Sequence, residues 1–417
     1  MSDTFVFDLP ATSTAAATAA SAQLDLLSLD DAGLGGFLKD IGEQPFRARQ
    51  LFAWLHDKRV SSFAAMTDLS AALRTKLAER AVLLRPLVED VRVAADGTRK
   101  YQLKTHDGHV IESVWIPHAS GPSHHALCIS SQVGCAMGCT FCATASLKLT
   151  RHLSAGEIIG QVYAVLDDLA ANLPVDPPLP PSKMRFRYDP EPDAAADVDA
   201  DDVKMGRPKR RIQNIVYMGM GEPLHNIVNV IASINLLTHD KGLGLSPRRI
   251  TVSTSGVVSA LGRLGQETGV HLAISLNATT NEVRKEIMPV TRRWSLEQLL
   301  EACRAFPAER RRRLTFEYVL LKDINDTDID ARRLVQLLKP FRKEEDGKVN
   351  LIPFNAHPLS PFGRPDDERV EAFRRILDKA GVACFVRTTR GLDIDAACGM
   401  LGARKLEDAR KNALPII

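Results

Sequence analysis

Apolar residues recur at three- and four-residue intervals between about residues 31 and 85, in L-G-G-F-L-K-D-I, F-R-A-R-Q-L-F-A-W-L-H and D-L-S-A-A-L-R-T-K-L-A-E-R. That period predicts helices, with Phe46, Leu51, Trp54 and Leu55 on one stripe and Arg47, Arg49, Lys58 and Arg59 on the polar side. From about residue 98 the pattern changes to short apolar runs, which predict strands at 110–116, 126–131, 214–219, 249–254, 270–276, 314–321, 349–354 and 382–388. Several runs are almost continuously apolar, as in parallel strands covered on both faces. Helical patterns fall between them. Ser154 with Glu157, and Ser295 with Gln298, have capping-box spacing, and Leu153 with Ile158 can form the hydrophobic staple. Repeated β-α units predict an α/β fold, a parallel sheet or barrel, with chemistry at the C-terminal strand ends.

Two stretches break this rhythm. Residues 1–28 are rich in Ala, Ser and Thr without an amphipathic period, and read as a disordered leader. Residues 172–211 run from proline-rich through acidic D-P-E-P-D-A-A-A-D-V-D-A-D-D to basic K-M-G-R-P-K-R-R, and read as a flexible insertion. The expected plan is therefore a leader (1–28), a helical accessory domain (29–97), a core (98–402, interrupted by 172–211) and a tail (403–417). The net charge of +3 does not by itself call for a nucleic-acid partner. No apolar run is long enough to span a bilayer, and the first residues lack the basic start and apolar core of a secretory signal. Seven cysteines, an odd number, then point to a reducing, cytoplasmic setting and to ligands or reactive thiols before disulfides.

Cys135, Cys139 and Cys142 lie in G-C-A-M-G-C-T-F-C-A-T, a C-x3-C-x2-C spacing. Three thiolates can hold three irons of a 4Fe–4S cluster and leave the fourth open to a ligand. The alternative is zinc, which prefers four ligands, and no second C-x2-C pair follows. In Y-M-G-M-G-E-P-L, Gly219 and Gly221 allow the backbone to approach a ligand, and the Glu222 carboxylate can accept from an amine. Ser253, Ser275, Asn277 and Asn355 place hydrogen-bonding groups at successive strand ends. By residue type alone Cys128 and Cys398 are small buried apolar groups, and Glu112 is a polar residue on the outer side of an alternating strand.

These segments, with G-E-Q-P-F-R-A-R-Q, C-I-S-S-Q-V-G-C, R-I-T-V-S-T-S-G-V-V, L-A-I-S-L-N-A, L-I-P-F-N and D-I-D-A-A-C-G-M-L, span roughly residues 42–402. Together they resemble the radical S-adenosylmethionine enzymes, and among them the adenine-C2 methyltransferases of ribosomal and transfer RNA. The resemblance implies a partial (β/α)6 TIM-like barrel and one 4Fe–4S cluster on Cys135, Cys139 and Cys142, whose open iron binds S-adenosylmethionine. It implies cofactor contacts from Gly221, Glu222, Ser253, Ser275, Leu276, Asn277 and Asn355, although the family usually has His in place of Asn277. It makes Cys398 the methyl-carrying cysteine, Cys128 the cysteine that resolves the protein–RNA adduct through a transient disulfide with Cys398, and Glu112 the proton acceptor. Two S-adenosylmethionines are consumed, one to methylate Cys398 and one to generate the radical that activates that methyl. The implied partners are 23S rRNA, tRNA and an electron donor such as reduced ferredoxin or flavodoxin, acting on a monomer. Cys303 and Cys384 match no family site. The competing expectations are an adenine-C8 methyltransferase of the same superfamily and a non-enzymatic RNA-binding protein with a metal site. The runs Arg310–Arg313 and Arg292–Arg293 beside Trp294 read as solvated faces and receive no RNA contact.

Overall fold

The computed structural model describes residues 23–117, 125–173, 211–307, 314–341 and 347–402. Most of the expected leader, nearly all of the 172–211 insertion, Arg310–Arg313 and the 403–417 tail lie outside the described residues. The N-terminal helical period is realised as α1 (Asp31–Asp40), α2 (Ala48–Phe52, continued by a π-helical turn, Ala53–Asp57) and α3 (Ala71–Arg80). Asp30 and Ser70 cap α1 and α3, accepting from the Gly33 and Leu73 amides. Leu51, Trp54 and Leu55 are buried as the stripe requires, but Phe46 is 72% exposed. It sits in the 3-10 turn Pro45–Arg47 ahead of α2, out of phase with the stripe, and the Arg47 guanidinium lies 5.7 Å from its ring centre.

Two expected boundaries shift. The leader gives way to structure by residue 24, where Leu24–Asp25 pairs in parallel with Ala81–Val82 and Leu26 and Leu27 are buried. The 29–97 unit is not helical throughout, because Leu87–Val93 is a strand, β1. It pairs antiparallel with β2 (Arg99–Lys104), and β2 with β3 (Val110–Ile116). The charged residues in L-V-E-D-V-R-V and R-K-Y-Q-L-K hid this hairpin, since β1 keeps no fully buried residue.

The strands expected downstream all form: β4 (Ala126–Cys128), β5 (Asn214–Tyr217), β6 (Ile250–Thr254), β7 (His271–Ser275), β8 (Leu314–Leu320), β9 (Gly347–Pro353) and β10 (Ala383–Val386). They continue into one ten-stranded sheet in the order β10-β9-β8-β7-β6-β5-β4-β3-β2-β1. Strands β4 to β10 are mutually parallel, seven where six were expected, and β3 joins β4 antiparallel. The two edges are not paired with each other, so the sheet is an open partial barrel. Helices α4 (Ala155–Asn172), α5 (Ile227–Thr238), α6 (Val258–Thr268), α7 (Asn281–Ile287), α8 (Leu296–Arg304), α9 (Asp328–Leu337) and α10 (Asp367–Lys379) cross between parallel strands. The Ser154–Glu157 and Ser295–Gln298 capping boxes form as their spacing predicts, with Leu153 and Ile158 fully buried. The helical unit seats against α4, where the buried His56 Nδ1 lies 3.0 Å from the Tyr163 hydroxyl. None of the described helices is long and apolar enough to cross a membrane.

Candidate active site

The cysteine loop leaves the C-terminal end of β4. A short antiparallel ladder, Gln132–Val133 with Arg151–His152, pinches it at its base. Gly134 is required there: its φ is +77°, and a Cβ would fall 1.6 Å from the Lys148 carbonyl oxygen. The loop is tied outward as well, through Thr140 N to Ile287 O (3.0 Å) and Ala143 N to Gly399 O (2.8 Å). All three thiols face one cavity. Burial raises the pKa of each, and neighbouring thiols raise Cys135 and Cys139 further, so crowded thiolates here call for a cationic partner. Among the described residues, only His106, Asp107 and Glu157 bring three such ligand atoms within 4.8 Å of one another. A single tetrahedral zinc needs its sulfurs about 3.8 Å apart. Three thiols on one cavity, with no fourth cysteine of a second C-x2-C pair beside them, fit three irons of a multi-iron cluster better than a four-ligand zinc.

The cavity, about 160 Å³, is lined by strand ends, among them Gly221, Glu222, Ser253, Ser275, Asn277, Asn355 and Cys398. Most of these groups already have partners. The Glu222 carboxylate accepts from Leu224 N (3.0 Å) and Thr254 Oγ1 (2.7 Å) on Oε1 and from Ser255 N (2.7 Å) on Oε2. Its remaining acceptor capacity is on Oε2. Burial raises its pKa, and these hydrogen bonds oppose the rise. Asn277 adopts φ +57°, which Asn tolerates better than most side chains. Its Oδ1 accepts from Val319 N (2.8 Å) and its Nδ2 meets the Met288 sulfur (3.3 Å), so in this chain the amide braces the wall. Ser253 Oγ donates to Glu317 (3.2 Å), and Asn355 Nδ2 donates to the Cys398 carbonyl (3.2 Å). Gly219 and Gly221 do permit a close approach, but to the chain's own Ile129–Ser130 backbone and Gln132.

Three expected site residues do not line this cavity. Leu276 is fully buried, and its amide donates to Glu317 O (2.9 Å). Cys128 is buried at the end of β4, where burial, and next the neighbouring Cys398, push its thiol up. Glu112 lies inside β3, buried rather than solvent-facing, with Oε1 3.1 Å from Lys100 Nζ and Oε2 accepting from Gly402 N (2.8 Å). Cys128 and Cys398 are both free thiols. Cys398, exposed in the cavity wall, also lines a second cavity of about 170 Å³ bounded by Arg387, Thr388, Thr389 and Arg390. Its thiol pKa is raised by desolvation and then by Glu317, with Arg387 opposing.

Three contributors were missed. Glu317 lines both cavities, and burial raises its pKa against the pull of Arg387; its signal was one acid in the apolar run L-T-F-E-Y-V-L-L. Gln132 accepts from Glu222 N (2.8 Å). Arg284, fully buried, donates to the carbonyls of Leu276 (2.9 Å), Ser255 (2.6 Å) and Ser275 (3.0 Å), bracing adjoining strand ends. Neither of the last two carries a local sequence signal.

Comparison with known proteins agrees with this geometry. Residues 24–83 match the ribosomal RNA large subunit methyltransferase N-terminal domain, and residues 181–335 match the radical SAM superfamily. The chain is 44% identical to the dual-specificity RNA methyltransferase RlmN of Sphingopyxis alaskensis, over 91% of this chain and 89% of that one. It is 43% identical to dual-specificity RNA methyltransferase RlmN 2 of Myxococcus xanthus, over 97% of each. A crystal structure of a radical SAM methyltransferase from Sphaerobacter thermophilus, 37% identical, superimposes with a TM-score of 0.75 over 91% of this chain and 99% of that one. On the strength of these matches and the cysteine-lined cavity, the chain belongs to the RlmN family of the radical SAM superfamily.

Proposed function

We propose that the chain methylates C2 of an adenine in 23S rRNA and in tRNA, beside the anticodon, carrying the methyl on Cys398 and consuming two S-adenosylmethionines. The observation that carries this reading is the position of Cys398, in the wall shared by the two cavities. One cavity holds the three cysteines and the Gly-Glu loop, and the other presents Arg387 and Arg390.

In this reading Cys135, Cys139 and Cys142 hold a 4Fe–4S cluster, and Gly221, Glu222, Ser253, Ser275 and Asn355 surround S-adenosylmethionine. When bound, the cluster supplies the electron that opens S-adenosylmethionine and so provides a hydrogen-abstracting radical. The chain's own residues decide what that radical meets. Adenine C2 is electron-poor and does not displace a methyl from a sulfonium, whereas a thiolate does. Cys398 therefore takes the methyl first and presents it between the cofactor cavity and the RNA-facing cavity. The activated carbon on Cys398 bonds to C2, and the adduct gives up one electron and the C2 proton, for which Glu112 and Cys128 are the acceptors. Cys128 then releases the product by pairing with Cys398 as a transient disulfide, which an external thiol reductant reopens. Reduced ferredoxin or flavodoxin is the electron donor, and the enzyme acts as a cytoplasmic monomer.

Mass spectrometry of digested RNA from a strain lacking the gene, with and without this chain restored, tests the reading. The expected result is 2-methyladenosine that returns with the wild-type chain and not with Cys398→Ala, whose iron content stays unchanged. Methyl at C8 alone, or full methylation by Cys398→Ala, would overturn it.

A further inference from the structure

The segment that carries Cys398 has almost no regular structure of its own. Between the end of β10 and residue 402 there is one 3-10 turn, Leu392–Ile394. Gly391, Asp395, Gly399 and Gly402 all have positive φ, between +55° and +85°. A path of this kind is held from outside: Asn355 Nδ2, Ala143 N and Thr144 Oγ1 donate to the Cys398, Gly399 and Leu401 carbonyls, and the ends of the segment are held by β2, β3 and the β1–β2 turn, outside the parallel β-α series. Ala95 N donates to Asp393 Oδ2 (3.0 Å), and Gly391 N donates to Asp96 Oδ2 (3.1 Å), which fixes the segment against the β1–β2 turn.

The second grip is a buried ion pair. Lys100 Nζ lies 3.1 Å from Glu112 Oε1 and donates to the Asp395 carbonyl at 3.0 Å. The other carboxylate oxygen of Glu112 accepts from Gly402 N at 2.8 Å. One ammonium thus joins a point three residues before Cys398 to a carboxylate that holds a point four residues after it. Lys100 is 1% exposed and Glu112 4%. Apolar residues of similar size would avoid the desolvation such a pair incurs, so what the pair contributes is geometry: two fixed ends for the turn that presents the thiol.

We propose that Lys100 is a positioning residue for Cys398, clamping both flanks of the 391–402 turn so that the thiol stays in the wall between the two cavities. The antiparallel extension is then the mount of the thiol-bearing turn. The consequence for catalysis rests on Cys398 as methyl carrier, while the clamp itself does not.

The test uses cluster-loaded, full-length protein. Lys100→Met removes the ammonium at nearly constant length, Lys100→Gln keeps a donor without charge, and Lys100→Arg keeps the charge. Lys104→Met, on the exposed end of the same strand, is the control. In both Lys100→Met and Lys100→Gln, hydrogen exchange at the amides of 391–402 is expected to accelerate tenfold or more, with the other strands unchanged. After incubation with S-adenosylmethionine, the methyl load on the Cys398 peptide is expected to fall at least tenfold at unchanged iron content. Lys100→Arg is expected to recover part of both, and Lys104→Met to match wild type. Unchanged exchange at 391–402 in these variants overturns the clamp. So does acceleration spread evenly over the whole sheet, which marks a purely structural lysine. Should RNA methylation survive in Cys398→Ala, the carrier reading fails alone, because the exchange measurement still decides the clamp. Should Lys100→Met not fold, Lys100→Gln and Lys100→Arg give the same readouts.

Discussion

Replacing Gly221 with Ala puts a methyl group where the chain has no room for one. Gly221 has φ +103°, and its Cβ would stand 2.6 Å from Gln132 Cβ, 2.8 Å from its Cγ and 2.9 Å from its amide nitrogen. An L-residue held in that backbone region costs about 1–3 kcal/mol. Relieving the overlap requires moving Gln132 by roughly an ångström, and overpacking of this kind costs about 1–3 kcal/mol more. The lower chain entropy of Ala in the unfolded state returns about 0.4–1 kcal/mol, so the net loss is about 1–5.5 kcal/mol. The damage is also directional, because Gln132 accepts from Glu222 N at 2.8 Å and so holds the Gly-Glu loop. Urea unfolding is expected to show a lower midpoint at unchanged m-value, and calorimetric titration of the folded fraction a weaker S-adenosylmethionine affinity. Gly36→Ala is the control: it lies in α1 with nothing within 4 Å of its Cβ, and Ala there stabilises by about 0.5–1 kcal/mol. If Gly221→Ala unfolds within 1 kcal/mol of wild type and binds S-adenosylmethionine normally, the steric reasoning is wrong.

Three further outcomes are expected. Burial lowers the pKa of His56 from 6.5 to about 4, so the unfolded chain takes up a proton between those values that the folded chain refuses. The contribution of this site is fully present above about pH 6.5 and is lost as pH falls toward 4, a swing of about 3 kcal/mol. His56→Phe should flatten that part of the stability profile, and an identical wild-type and mutant slope between pH 6.5 and 4.5 would discount it. Cys128→Ala should leave RNA attached to the protein, visible as a slow band on a denaturing gel that nuclease removes; free methylated product alone would argue against the resolving role. Ser154→Ala deletes the side-chain half of the capping box of α4, 3.1 Å from Glu157 N, and should lower stability by about 1 kcal/mol; a change within 0.3 kcal/mol in urea unfolding would mean the cap carries no weight.

Local patterns were legible where the physics is local. The 3.6-residue period and the two Ser-x-x-Glu/Gln signals placed α1 to α4 and α8. Near-continuous apolar runs placed β4 to β10, because strands covered on both faces admit few polar residues. Where the strands are rich in charge the reading failed: β1 keeps no buried residue and β2 buries a lysine, Lys100, beside Tyr101, so neither shows an apolar run, and Phe46 was assigned to a stripe that its 3-10 turn takes it off. The candidate site divided in the same way. The C-x3-C-x2-C spacing and the strand-end Gly221, Glu222, Ser253, Ser275, Asn277 and Asn355 all reach one cavity, whereas Leu276 points its amide into the sheet and Glu112 proved buried.

The amino-acid sequence by itself determined the order and type of most elements, the three-thiol loop and the family motifs, since each rests on residues within a few positions of one another. Tertiary structure alone decided which of those groups meet. Glu112 finds Gly402 across 290 residues, and Lys100 finds Asp395 across 295. Glu317 reaches both cavities because β8 lies between β7 and β9, and Gly221 is small for the sake of Gln132, 89 positions away. Such pairings depend on strand order and register, which a local period does not encode; a hydrogen bond takes its energy from geometry that only the assembled sheet supplies.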